Sequence, residues 1–153
     1  MKEHYKVYLA GPIAGSTYEA SEDWRICARL MLLRSPYIVT FSPMRGKAFL
    51  RQHGVLSSMP DDEDPRATGP GIMGRDHNDV KTADAVLMNL LNAERISVGS
   101  MIEAAWCYAY RVPLILVMQA GNIHEHAMLN QIPTYRTDDL QTGCDLVRAL
   151  LLP

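Results

Sequence analysis

Short apolar runs rich in β-branched residues alternate along this chain with longer segments of helical spacing, and that alternation narrows the available folds more than any other feature. Strands are predicted near 5–10 (YKVYLA), 37–41 (YIVTF), 84–90 (DAVLMNL), 113–118 (PLILVM) and 132–136 (IPTYR). Helices are predicted near 18–34, 73–82, 98–110, 123–130 and 138–151, with Trp24, Cys27, Ala28, Met31 and Leu32 on one face of the first. Parallel strands joined by crossover helices give an α/β fold: a flavodoxin-like, Rossmann-like three-layer sandwich whose five-stranded parallel sheet has the order 2-1-3-4-5. With 153 residues, 48% of them hydrophobic, the chain suits one domain, 1–153, with a core of its own.

One stretch breaks the alternation. Residues 42–74 form a long Pro-, Gly- and Asp-containing insertion, which in a compact domain is functional or disordered, with a short helix predicted at 45–53. Its DDED run at 61–64 reads as solvated loop charge and not as a metal site.

Several classes are excluded by composition. Three cysteines, Cys27, Cys107 and Cys144, with no C-x-x-C pair suggest neither a disulfide framework nor a zinc site, and imply a reducing, cytoplasmic setting. The apolar stretch before Gly11 and Pro12 is too short for a signal peptide or a membrane span, so no membrane partner is expected. A formal charge of −2 and the lack of a basic stripe with interleaved aromatics argue against a nucleic-acid polymer as partner.

Ligands of open α/β sheets bind beyond the carboxyl ends of the strands, where strand order reverses. Three stretches end there. "YLAGPIAGS" carries the first strand into a turn with Gly11, Pro12 and Ile13; it is not a G-x-G-x-x-G fingerprint, and Pro12 removes a backbone donor, so a tight turn and a ligand loop are both open. "RDHNDVKTAD" sets Asp76 and Asp79 on a helix, with Asp76 either a capping or first-turn acid or a functional one. In "SVGSMIEAAW", Ser100-Met-Ile-Glu103 fits a capping box, yet Glu103 also stands at the mouth of the crevice, where a helix N-terminus favours an ionised carboxylate.

"YLAGPIAG", "RDHNDVKTAD", "SVGSMIEAAW" and a late "HEHAM", in this order and spacing, resemble the nucleoside 2-deoxyribosyltransferase family over nearly the whole chain apart from 42–74. The most specific element is S-x-G-x-x-x-E, here Ser97, Gly99 and Glu103. The resemblance implies a nucleotide-salvage enzyme moving 2-deoxyribose between nucleobases through a covalent glycosyl-glutamate. It makes Glu103 the nucleophile, Asp76 the general acid and base, and Tyr8 the residue steadying the nucleophile. Gly11, Pro12, Ile13, Asp79, Ser97 and Gly99 then line the substrate. Ser97 stands where some deoxyribosyltransferases carry an acid and where the related 2′-deoxynucleoside 5′-phosphate N-hydrolases carry a serine against the phosphate, so hydrolysis of a nucleotide is the alternative. A catalytically idle nucleotide-binding domain is a second alternative.

"GNIHEHAML" resembles the segment that family members lend to a neighbouring subunit's active site, with His126 reaching the 5′-end of the sugar and Met128 nearby. That implies a homodimer or larger homo-oligomer with shared active sites. His124 and His126 lack a third ligand at metal spacing, so no metal and no cofactor is expected; the partners are small-molecule deoxynucleosides and nucleobases.

Overall fold

The computed structural model describes residues 2–152. Five strands, β1 (Tyr5–Ala10), β2 (Ile38–Phe41), β3 (Ala85–Asn89), β4 (Leu114–Val117) and β5 (Tyr135–Thr137), form one all-parallel sheet in the order β2-β1-β3-β4-β5. The four α-helices are α1 (Tyr18–Leu32), α2 (Gly69–Thr82), α3 (Val98–Tyr110) and α4 (Leu140–Leu151). The expected three-layer architecture and strand order are therefore present.

Side-chain alternation along the strands divides the core into two layers. Val7, Leu9, Leu87, Ile115 and Val117 point toward α1 and α4, packing with Ala28, Leu32, Cys144 and Val147. Tyr8, Ala10, Val86, Met88 and Leu116 point the other way, toward Val80 of α2 and Ala104 and Cys107 of α3. The strand order reverses between β1 and β3, and the second layer carries the acidic residues singled out above.

Four local expectations need correction. Helix α2 begins at Gly69 and not at 73, because Thr68 caps it by accepting from the Gly71 amide and Pro70 is tolerated in a first turn whose amides lack helical partners. No helix spans 123–130; turns lead to a 3-10 helix at Leu129–Gln131, and β5 starts at Tyr135 and not at 132. The cause is Asn122, whose buried side chain accepts from the His124 amide (3.0 Å) and donates to the carbonyl of Leu90 (2.7 Å), giving the backbone a local alternative to a helix. The buried stripe of α1 is Tyr18, Ser21, Arg25, Ala28 and Leu32, and Cys27 is exposed.

The fourth concerns 42–74, which is neither a free loop nor disordered. Its last six residues belong to α2, and Ala48–His53 form a 3-10 helix. Leu56 exchanges backbone hydrogen bonds with Gly15 and Ser16, and its side chain packs with Tyr18 and Met44. The insertion is thus tied to the turn after β1. Asp62 and Asp64 of the DDED run are engaged locally, Asp64 with Arg66, and no metal-ligating cluster occurs among the described residues. Among those residues no helix is long and apolar enough to cross a membrane.

Replacing Asn122 by alanine leaves the Leu90 carbonyl and the His124 ring without their buried partner. The expected loss of stability is about 1–3 kcal/mol, read as a lower urea midpoint at unchanged m-value.

Candidate active site

Glu103, Tyr8 and Asp76 meet in the layer between the sheet and the α2/α3 pair. The Tyr8 hydroxyl donates to Glu103 Oε1 at 2.7 Å in a fully buried contact. Tyr8 is inaccessible to solvent, and Glu103 and Asp76 expose 7% and 9% of their surface. The capping box expected at Ser100 does not form. Ser97 caps α3 instead, its Oγ accepting from the Ser100 amide at 3.3 Å. Glu103 consequently lies in the second turn of α3, beyond the reach of the helix-terminal field. Asp76 caps nothing either, since Thr68 does that work and Asp76 sits in the middle of α2.

What supports the Glu103 carboxylate is Arg25, which sequence reasoning missed. Its guanidinium, 1% exposed, donates to the carbonyls of Leu9 (3.1 Å), Gly11 (2.9 Å) and Ser21, and stacks 4.6 Å from the Trp24 ring. A buried cation satisfied by three carbonyls, its charge acting on Glu103, offsets part of that carboxylate's burial cost. The detectable signal was position: Arg25 falls four residues after Ser21 and three before Ala28, on the buried stripe of α1.

Burial first, and the neighbouring Asp76 second, push the Glu103 carboxyl up to about 8, while Tyr8 and Arg25 oppose the rise. Burial also raises Asp76 to about 6 against the pull of Lys47, with Asp79 adding to the rise. Tyr8 is held neutral, well above its ordinary range, by burial and by Glu103. Of the two buried carboxyls, Glu103 is therefore the one that holds a proton more firmly around neutrality.

The remaining predicted positions divide. Gly11 is buried, and a Cβ there would lie 2.8 Å from the Asn89 carbonyl and 2.9 Å from the Trp24 ring, so glycine is needed for the close approach of β1 to β3. Pro12 is half-buried, and Ile13 packs against the Tyr18–Met44–Leu56 cluster. Asp79 binds Arg45 through both carboxylate oxygens, at 2.5 and 3.0 Å. A Cβ on Gly99 would meet nothing, so the fold itself does not require glycine there. His126 and Met128 are exposed in the single chain, Met128 by 74%, and touch none of the buried trio.

Of the two late histidines it is His124 that is structural. Its Nε2 accepts from the Ser97 amide at 2.8 Å and its Nδ1 donates to Asn122 Oδ1 at 2.9 Å, which fixes the neutral tautomer; burial lowers its pKa in the same sense. The start of α3 is therefore held by the segment after β4.

No protein-family model and no curated protein matches the sequence. Solved structures do share its fold. The 2-deoxyribosyltransferase of Bacillus psychrosaccharolyticus matches with a TM-score of 0.59 at 19% identity, over 90% of this chain and 88% of the other. The molybdenum cofactor binding protein of Rippkaea orientalis matches at 0.59 and 15%, over 99% and 100%. The CMP N-glycosidase BcmB of Clostridium botulinum matches at 0.56 and 13%, over 95% and 99%. One scaffold thus carries a glycosyl transferase, a cofactor binder and a glycosidase, and the choice among them falls to side chains.

The raised Glu103 carboxyl has a consequence for stability. A pKa lifted on folding contributes stability that is complete below the unfolded value, near 4.5, and is lost as pH climbs through about 8. Glu103→Gln, uncharged at every pH, is therefore expected to melt higher than the wild type at about pH 9, with the gap closing at about pH 5. Thermal melts across that range check the sign.

Proposed function

We propose that the protein is a nucleoside 2-deoxyribosyltransferase acting through a covalent sugar on Glu103. The observation that carries this reading is the buried Tyr8–Glu103 hydrogen bond with Asp76 alongside: a steadied carboxylate next to a second carboxyl whose pKa of about 6 suits proton transfer at neutral pH. In the first half-reaction Glu103 attacks the anomeric carbon as the C–N bond breaks. The bonding pair passes to the base nitrogen and Asp76 protonates the base, as in a retaining glycosidase. In the second half an incoming base, deprotonated by Asp76, takes the sugar from Glu103.

A second reading is hydrolysis of a deoxynucleoside 5′-monophosphate. It is favoured by Ser97 in place of an acid at the start of α3, and by Arg95, whose exposed guanidinium crowds Gly15 so closely that a Cβ there would stand 2.4 Å from it. A cation and a helix N-terminus at one mouth of the crevice suit a phosphate better than a hydroxyl.

The deciding experiment incubates the protein with deoxyinosine or thymidine plus free adenine, and separately with deoxynucleoside monophosphates in water. Base exchange on nucleosides supports transfer, and release of base from monophosphates supports the hydrolase. Wild type with a slow-reacting deoxynucleoside should carry a sugar adduct on Glu103 by mass spectrometry, and Glu103→Ala should lose turnover by about three orders of magnitude or more while staying folded. Substantial turnover by that variant removes the assignment.

We also propose that the active site is completed by a second copy of the chain, through His126 and Met128. Support comes from their exposure and from further exposed apolar residues, Val98 and Ile102 on α3 and Ile123 beside the His124 that binds the start of that helix. Mixing Glu103→Ala with His126→Ala, each nearly inactive alone, should restore activity after subunit exchange if sites are shared. No recovery despite verified exchange, or a monomer in sedimentation, excludes it.

A further inference from the structure

Asp76 and Asp79 stand one turn apart on the buried stripe of α2, and of the two only Asp79 forms an ion pair among the described residues. Asp79 is 9% exposed, and its partner comes from outside the helix: Arg45, in the segment after β2, meets both carboxylate oxygens, at 2.5 and 3.0 Å. A bidentate pair at this depth fixes geometry as well as charge, and the proposed chemistry gives it no task.

Arg45 is itself held from several sides. Its guanidinium also donates to the Ser42 carbonyl at 3.0 Å and lies 5.5 Å from the centre of the Phe41 ring, and its own carbonyl accepts from Arg75 of α2 at 3.1 Å. The beginning of the 42–74 insertion is thereby pinned to α2 twice, at Arg75 just before Asp76 and at Asp79 one turn after it. Asp79 and Arg45 also border a cavity of about 250 Å³ between α2 and the first two strands, and on its wall stands Tyr8, the residue that donates to Glu103. The ion pair is thus a neighbour of the buried trio and not a surface contact.

We infer that Arg45 and Asp79 are the positioning pair of the general acid: they hold the turn of α2 that carries Asp76 against the segment after β2, and they set the charge that its carboxyl meets. The inference rests on the proposed N-glycosidic reading for the role of Asp76. A like charge one helical turn away disfavours ionisation of a carboxyl and a nearby cation favours it, so the two partners oppose each other, Asp79 raising the Asp76 carboxyl and Arg45 lowering it. The other charged or titratable groups about Asp76 are Arg75 on the same helix, Glu103 of α3, Tyr8 of β1, Arg25 of α1 and Lys47 of the segment after β2, and each is kept in the variants below. Breaking one bond from its two ends therefore moves Asp76 in opposite directions, whereas loss of a purely structural tie acts alike from either end.

The test follows the Asp76 carboxyl itself, so that it does not depend on turnover. Its titration is read by carboxyl-carbon NMR on protein labelled at aspartate, the signal being identified by its loss in Asp76→Asn. Relative to wild type, the midpoint should fall in Asp79→Asn and rise in Arg45→Gln, each by about half a pH unit or more. Arg45→Lys should bring it back toward wild type, and the double variant Arg45→Gln with Asp79→Asn should lie between the two single ones. Displacement of both single variants in the same direction, or of neither, overturns the inference and leaves the pair a structural tie. Should one single variant fail to fold, the sign in the other decides: the stated direction supports the inference, and the opposite one or no change overturns it. If the midpoints move as stated while no nucleoside or nucleotide is cleaved, the N-glycosidic reading fails and the hold of the pair on Asp76 stands. Base exchange with the midpoint fixed in every variant has the reverse meaning.

Discussion

A carboxylate held out of water against a strand of the central sheet is the constraint around which the rest is arranged. Glu103 sits in a layer otherwise filled by Ala10, Val86, Met88 and Leu116, where an isolated charge is expensive. The Tyr8 hydroxyl and the Arg25 guanidinium are the two groups that oppose that cost, and each is itself fixed by β1: Tyr8 as a strand residue, Arg25 through the carbonyls of Leu9 and Gly11. The end of β1 is thus the common anchor of the support for Glu103. The same strand end must approach β3 closely, which is why Gly11 admits no side chain.

The support is incomplete by design of the packing, since Glu103 still lies near 8 and Asp76 near 6. A fully neutralised pair would be more stable and less reactive. Functional sites commonly carry such local instability within an otherwise satisfied fold.

Much of this was legible in the sequence, and the failures have identifiable physical causes. Strand alternation and the acids at 76 and 103 gave the sheet order and two members of the buried trio. Tyr8 was named through resemblance alone, because a tyrosine in an apolar strand looks like core until its hydroxyl is seen to have a partner. Arg25 was not named. It is a charged residue that a pattern of apolar spacing assigns to the surface, and burial of its charge depends on groups distant in sequence, the carbonyls of Leu9 and Gly11. The missing helix at 123–130 failed for the opposite reason. There a local competitor, the Asn122 side chain, overrides a plausible helical pattern and spends His124 on holding Ser97. Ser100 and Glu103 match a capping box in letters, but Ser97 already satisfies the amide the box would use.

The chain segments that bound the crevice are independent of one another, and this bears on how one scaffold serves different reactions. Glu103 and Asp76 stand on α3 and α2, which pack together over the sheet. The segment after β2 is held to α2 through Arg45 and Asp79. The start of α3 and the segment after β4 are joined through His124. On the reading proposed above, a change in the second link alters what meets the far end of the sugar, hydroxyl or phosphate, without moving Asp76. Transfer and hydrolysis share every step up to the glycosyl-glutamate, and differ only in whether a base or a water molecule reaches the anomeric carbon next. On the reading proposed above, that competition falls to the residues about the start of α3 and the segment after β4, the capping Ser97 and the exposed Arg95, His126 and Met128.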